Sequence, residues 1–302
     1  MYNNSAVIMM FNTLTSTHPG SGTELSYIDM PIQREGHTGF PKIEAATLKG
    51  CLRHDVSQRK TEEEESINQI FGKPDNGDFA SALSLTDARL LFFPVKSVRG
   101  IFGWITCPMV LERFFKDYHL AFGREFPDAW KAETGSVSSK QCKLAQKGKE
   151  GYVIMLEDYT YSVKESEKFA SFLKQFVSHL PEASITKEMI QERAVVLTDD
   201  DFAAFVRYST EVNTRIKIDT DTGTVAGAAL FTEEYLPPEC VLYSLAFFSA
   251  AYQSQKEENK NRMSRKEVKA AFKNMVGEGI LQVGANSGLG KGLMQLKIWE
   301  EN

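Results

Sequence analysis

The sequence predicts an α+β fold, with helices lying on one face of a mainly antiparallel sheet. Three observations carry that expectation. Short apolar runs bounded by turn residues recur along the 302 residues, at 6–14, 88–95 and 241–248, and each reads as a buried strand. Between them lie stretches of helical spacing, such as 108–118, where Val110, Leu111, Phe114 and Phe115 share one side. Finally, 215–227 alternates at period two around Thr220-Asp221-Thr222-Gly223, which is the chemistry of a hairpin turn. Strands and helices alternate without a long internal repeat.

Taken in order, the chain opens on the strand at 6–14, with Val7, Ile8, Met9, Met10 and Phe11 inside it. His18-Pro19-Gly20-Ser21-Gly22 then interrupts regular structure, because Pro lacks a donor and each Gly admits positive φ. Beyond Phe40-Pro41 the pattern turns helical, and Lys49 and Arg53, at i and i+4, share a face. The charge run at 59–66 reads as a solvated loop or helix end. The strand at 88–95 ends at Pro94 or soon after; Lys96, Ser97 and Arg99 form a polar turn, and 101–106 is a further strand. Pro108 suits the first turn of the helix that follows.

From 119 to 190 the character changes, and we read an insertion on the main fold. Residues 131–151 are rich in Lys, Gln, Ser and Gly and lack periodicity, which predicts a mobile surface segment. At 164–180 a helix is expected, its Phe169, Phe172, Leu173 and Phe176 stripe serving as core. A short strand at 194–197 precedes Thr198-Asp199-Asp200-Asp201, which supplies N-caps for a helix to Tyr208. The hairpin places Arg215 and Lys217 on one face, and 228–237 returns to the body. A helix with basic decoration at 264–276 and extended pieces at 280–283 and 293–299 complete the chain.

Composition narrows the function classes. No apolar run approaches the twenty residues of a membrane span, and Met1-Tyr2-Asn3-Asn4 lacks the basic region of a secretory signal. Cys51, Cys107, Cys142 and Cys240 are far apart with no CxxC pair, which suits reduced thiols in a cytosol better than disulfides or a zinc site. A soluble cytoplasmic protein is expected. The net charge of −5 is unlike that of strongly basic nucleic-acid binders. Bulk charge does not exclude RNA, since phosphates respond to cations local to a groove.

Several residues invite chemistry, each beside a plainer reading. Asp29 is a carboxylate in the mostly uncharged stretch Tyr27-Ile28-Asp29-Met30-Pro31-Ile32; it is either a turn cap or a functional group. His18 can move a proton near neutral pH, or serve the Pro-Gly turn beside it. Lys49 and Arg53 are a solvated face or a phosphate contact. Gly284-Ala285-Asn286-Ser287-Gly288-Leu289-Gly290-Lys291-Gly292 is not a P-loop, because Gly rather than Ser or Thr follows Lys291, and it opens no βαβ unit. It remains a structural loop or a backbone-amide surface for phosphate.

The segments Thr-His-Pro-Gly-Ser-Gly-Thr-Glu-Leu (17–25), Ile-Asp-Met-Pro-Ile-Gln-Arg-Glu (28–35), Thr-Gly-Phe-Pro (38–41) and Leu-Lys-Gly-Cys-Leu-Arg (48–53) carry a resemblance. In that order, with 87–113, 215–237 and 284–292, the chain resembles backbone subunits of the type III-B CRISPR (Cmr) effector complex, within the repeat-associated mysterious protein (RAMP) superfamily. It departs from the family pattern at Glu44-Ala45-Ala46, where a Gly- or Ser-containing turn is usual. The resemblance implies one domain over 1–302 with an RRM-like (ferredoxin-like) core, an accessory helical region at 119–190 and a protruding hairpin thumb at 213–237. It implies binding of a guide (CRISPR) RNA and a single-stranded target RNA, self-association in a helical filament, and contact with other Cmr subunits. Expected RNA contacts are Lys49, Arg53, Ser97, Arg99, Arg215, Lys217, Gly288, Gly290 and Lys291.

The resemblance also implies cleavage of the guide-paired target at regular intervals by Asp29, with a divalent ion, Mg²⁺ or Mn²⁺, on that carboxylate. His18, Glu233 and Tyr235 are the candidate assistants. The thumb would wedge into the duplex and kink the target, bringing the 2′-hydroxyl in line with the phosphorus. Two rivals stand beside this reading: a non-catalytic RNA scaffold of the same complex, and a metal-independent guide-processing endonuclease.

Overall fold

All eight residues of strand β1 (Ala6–Thr13) are buried. A half-exposed strand would alternate, so an unbroken buried run means that both faces of the sheet are covered there. The computed structural model describes residues 6–59, 63–73, 80–127, 129–139, 141–182, 184–218, 221–252 and 262–301. After β1 come β2 (Lys42–Ile43), α1 (Ala45–Arg59), α2 (Glu64–Phe71), β3 (Leu83–Leu85), β4 (Ala88–Lys96), β5 (Phe102–Thr106) and α3 (Pro108–Phe122). The middle holds β6 (Ser136–Val137), β7 (Gln146–Lys147), β8 (Tyr152–Leu156), β9 (Tyr159–Glu165), α4 (Glu167–Val177) and α5 (Ile185–Arg193). Then follow β10 (Ala194–Val196), α6 (Asp199–Tyr208), β11 (Glu211–Ile218), β12 (Val225–Tyr235), β13 (Val241–Phe248), α7 (Arg265–Val276), β14 (Gly279–Gln282) and β15 (Leu293–Trp299).

Thirteen of the described strands make one sheet in the order β14-β15-β1-β13-β4-β5-β10-β6-β9-β8-β7, with β2 added on β4 and β3 on β13. Its pairs are antiparallel except β5 with β10 and β6 with β9. This is the α+β class the sequence predicts. The helices, however, cover both faces rather than one. Tyr243 of β13 packs edge-on against Phe114 of α3 at 5.1 Å, while Phe248 packs against Phe272 of α7 at 5.2 Å. Odd and even positions of a strand point to opposite faces, so α3 and α7 lie on opposite sides.

The stripe on α4 is core, as its spacing predicts. Phe169, Phe172, Leu173 and Phe176 are buried, and Phe172 meets Phe114, Phe115, Phe126 and Trp130. Burying one such side chain contributes about 1.5–3 kcal/mol. Helix starts are chemically marked. Ser166, Ser184, Thr198 and Ser264 each accept a backbone N–H three residues on, and Pro108 occupies the first turn of α3.

Residues 119–190 depart from the expected helical insertion. They carry β6 to β9 as well as α4 and α5, and the strands extend the main sheet beyond β10. The stretch 131–151, expected at the surface, buries Val137, Cys142, Leu144 and Ala145. Its apolar residues come at irregular intervals among Lys, Gln, Ser and Gly, so no period betrays them. The charge run at 59–66 divides between the end of α1 and the start of α2, with 60–62 outside the described residues. No described helix is long and apolar enough to cross a membrane, and all four cysteines are free thiols.

The hairpin expected at 213–237 is present as β11 and β12, a separate two-stranded antiparallel sheet. Arg215 sits opposite Phe231 and Glu211 opposite Tyr235, with a register shift between Ile216 and Ile218. Residues 219–220 at its turn lie outside the described residues.

Candidate functional site

The chain from Thr17 to Arg34 is laid against the base of the hairpin. Thr17 bridges Leu236, Met30 bridges Glu233 in parallel, and Gly20 bridges Ile32. Asp29 is thereby brought to Thr232, 203 residues away in sequence. The Thr232 backbone N–H donates to Asp29 Oδ2 at 2.7 Å, and the Thr232 hydroxyl donates to the same oxygen at 2.9 Å. The Asp29 backbone N–H donates in return to Thr232 Oγ1 at 3.0 Å. The Thr232 backbone N–H, and after it the hydroxyl, hold the Asp29 carboxyl below the usual carboxylate range. The side chain is half-buried, and Oδ1 accepts no hydrogen bond from any other described residue.

The three expected assistants form a second cluster, which is buried. Tyr235 Oη donates to Glu233 Oε2 at 2.6 Å. His18 Nδ1 donates to the Glu234 carbonyl at 2.6 Å, and its Nε2 lies 3.7 Å from Glu233 Oε1. Arg215 lies 3.1 Å from Glu233 Oε2, and Asn286 Nδ2 donates to Glu233 Oε1 at 2.7 Å. His18, Glu233 and Tyr235 are at most 2% exposed. Burial, with the hydrogen bond to Glu233, pushes the Tyr235 phenol up to about 12, so it stays protonated and donating. Side chains alternate along β12. Thr232 and Glu234, with Asp29 and Arg34, therefore occupy one face, and Glu233 and Tyr235 the other. The structure joins His18, Glu233, Tyr235, Arg215 and Lys291 to one another and sets them apart from Asp29.

The glycine-rich loop closes this buried cluster. Ala285 N–H donates to the His18 carbonyl at 3.1 Å and Gly292 N–H to the Ser16 carbonyl at 3.0 Å. Gly284, at φ 84°, has no room for a side chain: a Cβ there would lie 2.3 Å from the His18 carbonyl oxygen. Lys291 Nζ donates to Ser16 Oγ at 3.0 Å and stands 5.0 Å over the Tyr235 ring. Gly288 and Gly290 are exposed at the tip, although the amides of Leu289, Gly290 and Lys291 are already used within the loop.

The remaining expected RNA contacts divide by their commitments. Lys49 on α1 makes no ion pair among the described residues. Arg53, one turn on, donates to the Gly72 carbonyl and to Asn68 Oδ1, tying α1 to the end of α2. Ser97 is buried and donates to the Met155 carbonyl at 3.0 Å. Arg99 donates to the Ala145 carbonyl at 2.7 Å from an exposed position. The side chain of Lys217 lies outside the described residues. Sequence reasoning passed over Thr232, Asn286 and the pair Arg34–Glu234, whose atoms meet at 2.5 Å. Only Asn286 left a local signal, an Asn among glycines that takes the left-handed φ of 66°.

Among the described residues no three His, Cys, Asp or Glu side chains converge to hold an ion, at Asp29 or elsewhere. One free carboxylate oxygen fits a cation whose shell is completed by phosphate oxygens and water, the usual habit of Mg²⁺.

The sequence profile of the RAMP superfamily matches residues 10–295. A Pyrococcus furiosus protein named CRISPR system Cmr endoribonuclease Cmr4 is 35% identical over 303 residues, spanning 98% of this chain and 96% of its own length. The CRISPR system CMR subunit Cmr4 of Saccharolobus solfataricus is 24% identical over 250 residues, 76% of this chain and 80% of its own. Among solved structures, oligomeric Cmr4 from Pyrococcus furiosus superposes with a TM-score of 0.72 at 29% identity, covering 98% of each chain. A chain of the type III-B Cmr-beta complex bound to cognate target RNA shares the fold, at TM-score 0.73 and 18% identity over 99% of this chain and 98% of that one.

Proposed function

Because this chain belongs to the RAMP superfamily, we propose that it is a guide-RNA-binding backbone subunit of a type III-B CRISPR (Cmr) complex that cuts guide-paired target RNA. The observation that carries the reading is the half-buried Asp29 carboxylate, clamped by Thr232 and left with one oxygen unused. The 35% identical relative named as a Cmr endoribonuclease supports the reaction. The oligomeric crystal form of the Pyrococcus protein supports self-association. In this reading copies of the chain line up along the guide in the cytoplasm beside other Cmr subunits.

RNA carries its own nucleophile, the 2′-hydroxyl beside the scissile phosphate, so the protein's task is alignment and charge control. Thr232 fixes Oδ2 and leaves Oδ1 of an ionised carboxylate available to the substrate. A divalent ion, Mg²⁺ or Mn²⁺, held by Oδ1 together with the substrate's phosphate oxygens, would supply charge neutralisation. His18, Glu233 and Tyr235 act at a distance: their buried network braces β12, and with Arg215 it fixes the angle at which the hairpin leaves the body. Of the expected RNA contacts, Lys49 and Arg99 lie outward for a phosphate, and phosphate contacts of this kind position a strand without reading its bases.

The test is target cleavage by the assembled complex with Asp29→Ala in every copy. Lost cutting with retained target binding supports the nuclease; unchanged cutting leaves a scaffold. Chelation by EDTA should stop the wild-type reaction, and cutting that continues in EDTA would remove the metal from the scheme.

A further inference from the structure

Two clefts meet at the C-terminal end of α6. The first, about 610 Å³, runs between the loop around Ser21 to Ile32 and the side chains of Arg34, Arg207 and Tyr208. The second, about 510 Å³, lies between the same three residues and the turn at Gly36 to Gly39. Arg34 is committed: it donates to the Gly39 and Val206 carbonyls and pairs with Glu234. The Arg207 side chain has no hydrogen bond or ion pair among the described residues. Its guanidinium lies 5.6 Å from the ring centre of Tyr208, which is 76% exposed.

The second cleft favours an anion. The second cleft is lined by Arg34, His37 and Arg207 and by no carboxylate. The first holds Glu24 and Glu234, of which Glu234 is already neutralised by Arg34. Glycines at 36 and 39 keep the facing wall low, so a backbone can pass close by. A free guanidinium beside an exposed aromatic ring suits a strand whose phosphate meets the cation and whose base lies on the ring.

We propose that Arg207 and Tyr208 form a nucleotide subsite for the target RNA strand, Arg207 taking a phosphate and Tyr208 stacking a base where the two clefts join. The inference rests on the reading above for what the site serves, since Ile28, next to Asp29, lines the first cleft. A strand gripped at 207–208 and continuing along that cleft arrives at the Asp29 loop. The subsite would hold the strand on one side of the cut.

The experiment is anisotropy of a short fluorescein-labelled single-stranded RNA on the full-length chain across a salt series, with light scattering on the same samples. Arg207→Gln should weaken binding and lower the slope of log K against log salt by about 0.7, the loss of one phosphate contact. Tyr208→Ala should weaken binding about 5- to 150-fold with the slope unchanged, the loss of one stacked base. Unchanged affinity and slope in both variants overturn the proposal. So does a change in oligomeric size at unchanged affinity, which would give the clefts to a neighbouring copy. Asp29→Ala, assayed in parallel for cutting in the assembled complex, separates the two readings. If it cuts normally while Arg207→Gln loses affinity, the nuclease assignment fails and the subsite stands.

Discussion

At the scale of single residues, the Asp29–Thr232 clamp has a consequence for pH. Two hydrogen bonds to Oδ2 favour the ionised form, so the carboxylate persists as pH falls below the value at which a free aspartate would protonate. Thr232→Val removes the hydroxyl but leaves the backbone N–H. The Asp29 pKa should then rise, and the acid limb of the pH–cleavage profile should move to higher pH. The rate should fall most at acid pH and least near neutrality, and Thr232→Ser should restore the wild-type profile. A limb that does not move would mean that the titrating group lies elsewhere. Asp29 was legible in the sequence because a charge stands out in an uncharged stretch and in a motif shared with the family. Thr232 was not, since its partner lies 203 residues away and an isolated Thr on a strand is ordinary.

Among the elements, the glycine-rich loop makes a sharp contrast testable. Gly284 has φ 84° and faces the His18 carbonyl, whereas Gly288 has open space around it. Gly284→Ala should destabilise the full-length chain by about 1–3 kcal/mol or more, and Gly288→Ala by no more than about 0.5 kcal/mol. Thermal melts of the two variants check this, and equal melting temperatures would contradict the packing described. The sequence allowed both a structural loop and a phosphate surface here. The structure adds that Gly284 and Gly292 bear on the 16–18 carbonyls while Gly288 and Gly290 face outward. The main hairpin was legible from its Thr-Asp-Thr-Gly turn. The β8–β9 hairpin was not, because its turn uses Glu157 at φ 49° where a Gly or Asn normally announces such a conformation. That silent turn hides β8 and β9, and the lack of a period across 131–151 hides β6 and β7, so the sheet extension within 119–190 left no local signal.

For the molecule as a whole, both sheet faces are covered by helices, and the aromatic core reaches the C-terminus. Trp299 stacks on His179 with ring centres 3.6 Å apart. Burial pulls the His179 pKa down to about 4 from 6.5. The unfolded chain thus takes up this proton before the folded one does. Stability from this group is complete above about pH 6.5 and is lost progressively as pH falls towards 4. Melting temperature should drop across that window, and His179→Phe should flatten the drop; an equal drop in both would assign acid sensitivity elsewhere. The layered α+β class and the run of β1 were readable from apolar patterning. Coverage of both faces was implicit in the unbroken burial of that run, but which helices supply it depends on long-range packing that no local pattern encodes. Net charge was equally mute about RNA, since cations free of ion pairs among the described residues, such as Lys49 and Arg207, stand out only once the paired ones are identified in three dimensions.

The central claim is that the exposed-side carboxylate cuts while the buried one across the strand only braces. Its most direct test is the single-turnover rate of guide-paired target cleavage by complexes carrying Asp29→Asn or Glu233→Gln in every copy, at saturating target. The account predicts a loss of about 10²-fold or more for Asp29→Asn and about tenfold at most for Glu233→Gln. Wild-type rates from Asp29→Asn, or the larger loss from Glu233→Gln, would contradict it.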